Sequence, residues 1–164
     1  MDNLIIRKAS EADIDSLMSL YDSARNFMRS RGNTTQWING YPSRETIIAD
    51  ITAGNCYIGI GPDGGIELVF AFIIGTDSTY NIIEDGTWPN DKPYGTIHRM
   101  ASSGRRGGML AASIEFCLKL IGTIRLDTHA NNQTMRQAAE RLGFVRCGII
   151  YCQDGTPRIA YQLN

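Results

Sequence analysis

No stretch of this 164-residue chain approaches the roughly 20 consecutive apolar residues that a membrane-spanning helix needs. The start, Met1-Asp-Asn-Leu4, has neither the basic flank nor the apolar core of a secretion signal. We therefore expect a cytoplasmic protein with no membrane partner. Positive charge is not in surplus either. Sixteen Lys and Arg stand against 17 Asp and Glu, a formal net charge of −1, which argues against a general nucleic-acid binder. The four cysteines, Cys56, Cys117, Cys147 and Cys152, form no CxxC pair, and there are only two histidines. That spacing suits no metal site, so we expect no metal and no disulfide, with Cys56 and Cys117 as buried structural thiols. Repeats, linkers and low-complexity tracts are absent as well, and residues 1–164 read as a single domain.

What is present is an ordinary globular composition, 43% apolar and 20% charged, around one unusual segment. Tyr94 to Ala101 reads as a strand, Ser102-Ser-Gly-Arg-Arg-Gly-Gly108 as a turn, and Met109 to Leu120 as a helix. A helix that starts behind such a turn aims its first unpaired N–H groups at one spot and favours an anion there. Glycine allows close approach, and Arg105 and Arg106 add charge suited to a phosphate. The segment has neither the GKS/T ending of a P-loop nor the GxGxxG spacing of a dinucleotide fold. Taken alone, it is either a pyrophosphate cradle or a plain tight turn.

Elsewhere the spacing predicts a strand at Leu4–Ile6, then a helix entered by Ser10-Glu-Ala-Asp13 and stopped by Gly32. A second helix follows Ser43 and closes at Gly54. Two strands, Cys56–Ile60 and Ile66–Gly75, turn around Pro62-Asp-Gly-Gly65. Thr123–Asp127 is a strand parallel to the one ending at Ala101, reached by a right-handed crossover. Asn131 or Asn132 caps a fourth helix with Met135, Ala138 and Leu142 inward and Gly143 as its stop. The chain ends in a hairpin across Gln153-Asp-Gly-Thr156. The order β-α-α-β-β-β-α-β-α-β-β describes an α/β (α+β) fold, a mixed sheet with helices on both faces.

This order, together with His98-Arg-Met-Ala-Ser102, Leu126-Asp-Thr-His129 and Leu142-Gly-Phe144, resembles the GNAT superfamily of acyl-coenzyme A-dependent N-acetyltransferases. The resemblance covers nearly the whole chain and implies a mostly antiparallel sheet. In the family motif Gln/Arg-x-x-Gly-x-Gly/Ala, Arg105 and Gly108 match the first two anchors, and Leu110 replaces the small third residue. It implies acetyl-coenzyme A as cosubstrate, with Arg105, Arg106, Gly107, Gly108 and Met109 at the pyrophosphate. Backbone groups of Met100, Ala101 and Ser102 would meet the pantetheine arm and polarise the thioester carbonyl. Asn132 would touch the coenzyme; read by itself, it is equally a helix cap.

The implied reaction is attack of an amine, on a small molecule or a peptide, upon the acetyl thioester. Two familiar catalytic positions are missing. Ala139 stands where many relatives carry a tyrosine acid, and the fourth strand, Thr96-Ile-His-Arg-Met100, carries no carboxylate base. His98 is the replacement base by its chemistry; the competing reading is a histidine satisfied within the sheet. His129 reads as a helix-entry residue, Glu84 and Asp85 as solvated carboxylates and Tyr151 as a packing residue. The segments Asn33–Pro42 and Thr76–Pro93 would frame the acceptor. Their Trp37, Tyr41, Tyr80 and Trp88 suit a cationic amine, or simply cover the core. A homodimer is left open. A non-catalytic acyl-coenzyme A-binding domain is the alternative that Ala139 favours, and an interaction module without nucleotide is a third.

Overall fold

The computed structural model describes residues 3–164. Seven strands and four helices follow one another as β1 (Ile5–Lys8), α1 (Ile14–Ser30), α2 (Arg44–Thr52), β2 (Cys56–Ile60), β3 (Ile66–Ile74), β4 (Gly95–Ser102), α3 (Met109–Leu118), β5 (Ile124–Thr128), α4 (Gln133–Arg141), β6 (Val145–Tyr151) and β7 (Pro157–Leu163). This is the expected order. The contacts divide the chain into two units, each drawn from two segments. The first is Met1–Phe72 with Arg99–Ser113; the second is Ile73–His98 with Ile114–Asn164. No described helix is long and apolar enough to cross a membrane.

In the first unit β1 pairs antiparallel with β2, and β2 with β3. The Gly61–Gly65 backbone bond closes the turn between β2 and β3. The entry to α1 is a short 3-10 turn, Glu11–Asp13, in which the Ser10 N–H donates to the Asp13 carboxylate at 2.8 Å. Ser43 caps α2 by accepting from the Thr46 N–H at 3.2 Å. Leu17 and Tyr21 of α1 and Ile47 of α2 pack with Cys56, Ile58, Val69 and Ala101 into one cluster. Each fully buried aliphatic side chain there contributes about 1.5–3 kcal/mol.

In the second unit β4 and β5 are parallel, with Gly95 against Ile124 and Thr96 against Arg125. β5 pairs antiparallel with β7, and β7 with β6. Asn132 is the cap of α4, its side chain accepting from the Met135 N–H at 3.1 Å. The face of α4 differs from the expected one. Ala139 is fully buried, whereas Leu142 is 38% exposed. The helix ends at Arg141, so Leu142 leaves the periodic face as the residue that closes it. Glu84 forms an isolated bridge with Ile149 of β6, which docks part of the long 75–94 connection. Two glycines make that approach feasible. A Cβ on Gly86 would lie 1.9 Å from the Cys147 carbonyl oxygen, and one on Gly148 would lie 2.4 Å from that of Glu84. Tyr80, Tyr94, Ile150 and Ala160 form the core cluster beneath, with Ile83 and Trp88 packed against it.

Candidate functional site

One residue breaks the strand geometry of β4. Arg99 has φ 48°, a left-handed conformation that costs a side-chain-bearing residue about 1–2 kcal/mol. Its surroundings hold it there. The guanidinium donates twice to Asp50, each bond 2.7 Å long, and once to the Tyr41 hydroxyl at 3.1 Å. The Tyr21 hydroxyl donates to the Arg99 carbonyl at 2.6 Å. Asp50 and Tyr21 are buried, so this bidentate pair is shielded from solvent. Burial works against the arginine's charge, but Asp50 and Tyr41 outweigh it and raise the pKa above the ordinary value. A left-handed residue inside a strand re-aims the backbone that follows, here Met100, Ala101 and Ser102. Ala101 is buried in the core cluster, and the Met100 sulfur accepts a long 3.9 Å contact from Ser113.

Past Ser102 the chain enters the glycine-rich turn. The Ser103 N–H bonds the Glu67 carbonyl at 2.9 Å, and the Ser103 hydroxyl bonds the Glu67 carboxylate. Gly104 and Gly108 have φ 78° and 77°. A Cβ on Gly104 or Gly107 would meet nothing within 4 Å, so the backbone of the turn is openly accessible there. Met109 then opens α3, its side chain buried with Leu110 in the interior. Only the backbone of Met109 is therefore on offer to a ligand, and Leu110 contributes packing. The arginines are less simple than their charge suggests. Arg105 reaches Glu67 at 3.0 Å and Asp63 at 3.7 Å, so a phosphate would compete with two carboxylates for it. Arg106 is half-buried. The open backbone of the turn, leading into the N-terminal end of α3, is of the kind that suits an anion.

His98, one residue before Arg99 in the chain, belongs to the second unit. Its Nε2 lies 2.9 Å from Asp77 Oδ2, and both side chains are 22% exposed. The other Asp77 oxygen accepts from the Thr79 N–H at 2.9 Å and the Thr79 hydroxyl at 2.6 Å. The His98 bond, opposed by burial and reinforced by Thr79, holds the Asp77 carboxyl down at about 2. An ionised carboxylate only accepts. The proton of this bond therefore sits on His98 Nε2, and Asp77 fixes the orientation of the ring. Asp77 went unnoticed in the sequence. Its one signal, Asp-Ser-Thr at the start of a short 3-10 turn, reads as a cap, and it is a cap as well.

The remaining candidates have partners of their own. His129 Nδ1 accepts from the Asn131 N–H at 3.1 Å, a helix-entry role. Glu84 accepts from the Tyr151 hydroxyl at 2.9 Å, and Asp85 pairs with Arg146 at 2.8 Å. Trp37 packs edge-on against Tyr21, while Arg29 gathers the carbonyls of Asn33, Gln36 and Trp37. Trp88 packs on Tyr80 and donates to its carbonyl at 2.9 Å. Both tryptophans cover core, and the face of Trp88 is already taken by Arg125, 3.8 Å from the ring centre. Tyr80, fully buried, donates to Asp127 at 2.6 Å, and burial pushes its pKa well above the ordinary value. The four cysteines are free thiols, and burial raises Cys56 and Cys117 to about 12.

No family model matches the chain, and no curated protein does. Solved structures do. A GNAT-family acetyltransferase from Streptococcus agalactiae 2603 is 36% identical, with 97% of this chain and 94% of that one covered and a TM-score of 0.87. GNAT-family acetyltransferases from Listeria monocytogenes 4b F2365 and Bacillus anthracis share the fold at 21% and 13% identity, with TM-scores of 0.68 and 0.65. The alignments cover 98% of this chain and 94% of the Listeria one, and 99% of this chain and 95% of the Bacillus one. With a relative this similar along nearly its whole length, this chain belongs to the GNAT family of acetyltransferases and is an acyltransferase.

Proposed function

We propose that the chain is an N-acetyltransferase that uses acetyl-coenzyme A, with Gly104 to Met109 as the pyrophosphate cradle and His98 as the general base. The observation that carries the donor assignment is the open, side-chain-free backbone at Gly104 and Gly107, followed at once by a helix. Backbone N–H groups there bind an anion without help from a third small residue, which is why Leu110 is tolerated. Met100 to Ser102, redirected by Arg99, supply the N–H groups for the pantetheine arm, and Asn132 adds a polar contact while capping α4. Acetyl-coenzyme A would supply an activated acyl carbon and a thiolate leaving group.

A primary amine is mostly protonated near neutrality, since its pKa is about 10. His98 Nδ1 accepts a proton from it, and Asp77 stabilises the imidazolium through Nε2. The nitrogen would bond the acetyl carbon as the carbon–sulfur bond breaks, its second proton passing to solvent while the imidazolium returns the first to the departing thiolate. One residue thus does the work that relatives divide between a base and a tyrosine, consistent with a fully buried Ala139 at the tyrosine position. The free thiols support a reducing compartment, the cytoplasm.

Calorimetric titration with acetyl-coenzyme A and with free coenzyme A tests the donor. Micromolar binding is the expected result, and no binding at moderate salt would refute the cradle. An amine panel followed by thiol release then identifies the acceptor.

A further inference from the structure

The second unit holds a cation that the acetyl-transfer reading does not use. Arg125 of β5 is only 5% exposed, and a buried charge is costly unless it is paired. Among the described residues no carboxylate forms an ion pair with it. Its Nε donates to the Gln162 side-chain oxygen at 2.9 Å and its Nη2 to the Asn90 carbonyl at 3.1 Å, both neutral acceptors. Its flat faces lie against aromatic rings. Cζ is 3.8 Å from the Trp88 ring centre and 4.0 Å from that of Tyr94. Two rings that close cannot share one face, so the guanidinium is sandwiched; with Nε on Gln162 and Nη2 on Asn90, the Nη1 end is the direction left for a ligand.

Arg125 lines a cleft of about 390 Å³, bounded also by Tyr80, Asn81, Trp88, Asn90, Asp91 and Tyr94. The volume lies within the usual range of small-molecule sites, about 300–1,000 Å³. Thr96, in register with Arg125 on the neighbouring strand, is buried with its hydroxyl unpartnered. Clamping the long connection explains the bond to Asn90, and the bond to Gln162 ties the arginine to β7. Neither explains a buried guanidinium without a counter-charge. Burial accordingly pushes its pKa below the ordinary value, opposed by Tyr94.

We propose that this cleft is a binding site for a small carboxylate, which enters between the Trp88 and Tyr94 planes and bonds the edge of Arg125. The slot between two ring planes admits a planar anion more readily than a tetrahedral one, and a guanidinium edge matches a carboxylate in two parallel bonds. The ligand supplies the missing counter-charge. The amide of Asn81 adds a polar partner, and Asp91 at the cleft disfavours a second negative charge close to it.

The test is a nitrogen-15 NMR titration of the whole protein with acetate, glycine, inorganic phosphate and chloride at fixed ionic strength. It needs neither coenzyme nor turnover. The reporters are the Trp88 indole N–H, assigned through Trp37→Phe, and the Arg125 Nε–H. We expect saturable shifts of both with acetate and glycine, smaller ones with phosphate and none with chloride. Arg125→Gln should weaken acetate binding on the order of tenfold or more, the worth of a charge-assisted bond, and Asp91→Asn should tighten it. Should Arg125→Gln fail to fold, the wild-type titration still decides. Acetate shifts no larger than those of chloride, or phosphate binding tighter than acetate, would overturn the proposal. So would an Arg125→Gln protein that is folded and binds acetate as the wild type does.

Discussion

His98 and Asp77 lie 21 residues apart in sequence and 2.9 Å apart in space. If His98 moves the proton, His98→Gln should lower kcat on the order of 10²–10⁴-fold with coenzyme A affinity unchanged. Steady-state kinetics beside calorimetry separates the two effects, and unaltered turnover removes the role. Asp77 carries a second, structural expectation. Its carboxyl is held at about 2, below its ordinary 3.8. The stability it adds is therefore fully present above pH 4 and lost as the pH falls toward 2, by up to about 2 kcal/mol. Acid unfolding of Asp77→Asn should show a shallower loss across that window. An identical acid dependence would mean that the pair contributes nothing to folding.

At the scale of elements, the turn before α3 offers a cleaner probe than its most conspicuous glycine. Gly108 has φ 77°, so any replacement there strains the backbone as well as blocking the cradle. Gly107 lies outside the left-handed region and has open space above it. Gly107→Asp should leave the melting temperature near that of the wild type while sharply weakening acetyl-coenzyme A, through charge and bulk against the pyrophosphate. Retained affinity would contradict the cradle. The docking of residues 84–86 on β6 has its own test. Gly148→Ala places a Cβ 2.4 Å from the Glu84 carbonyl oxygen, and the backbone must give way. Chemical denaturation should show a loss of about 2 kcal/mol or more; an unchanged midpoint would mean that the segment is free to shift.

For the molecule as a whole, ligand binding and folding are linked. At 100 times its Kd, a ligand specific for the native state adds about 2.7 kcal/mol. For a chain of this length each kcal/mol raises the melting temperature by about 2–4 °C. Saturating acetyl-coenzyme A should therefore raise it measurably, and hydrogen exchange should slow in residues 103–112. A rise without protection there would place the ligand elsewhere.

Element order was legible because it rests on local chemistry. Ser43 and Asn132 cap helices, Gly32, Gly54 and Gly143 end them, and Asp154-Gly155 turns a hairpin, all within a few residues of what they control. The glycine-rich turn before α3 was legible for the same reason. Leu142 was misjudged by periodicity because the helix ends one residue earlier than the apolar pattern does. The chemistry around that frame depends on contacts of long sequence separation. Nothing near His98 announces Asp77, nothing near Arg99 announces Asp50 and Tyr21, and nothing near Trp88 announces Arg125. Short-range hydrogen bonds and backbone preferences are written into neighbouring residues, and so the sequence by itself determined the succession of elements. Charge pairing, burial and strain depend on what the folded chain brings together, and only the tertiary structure decided which ionisable groups face one another.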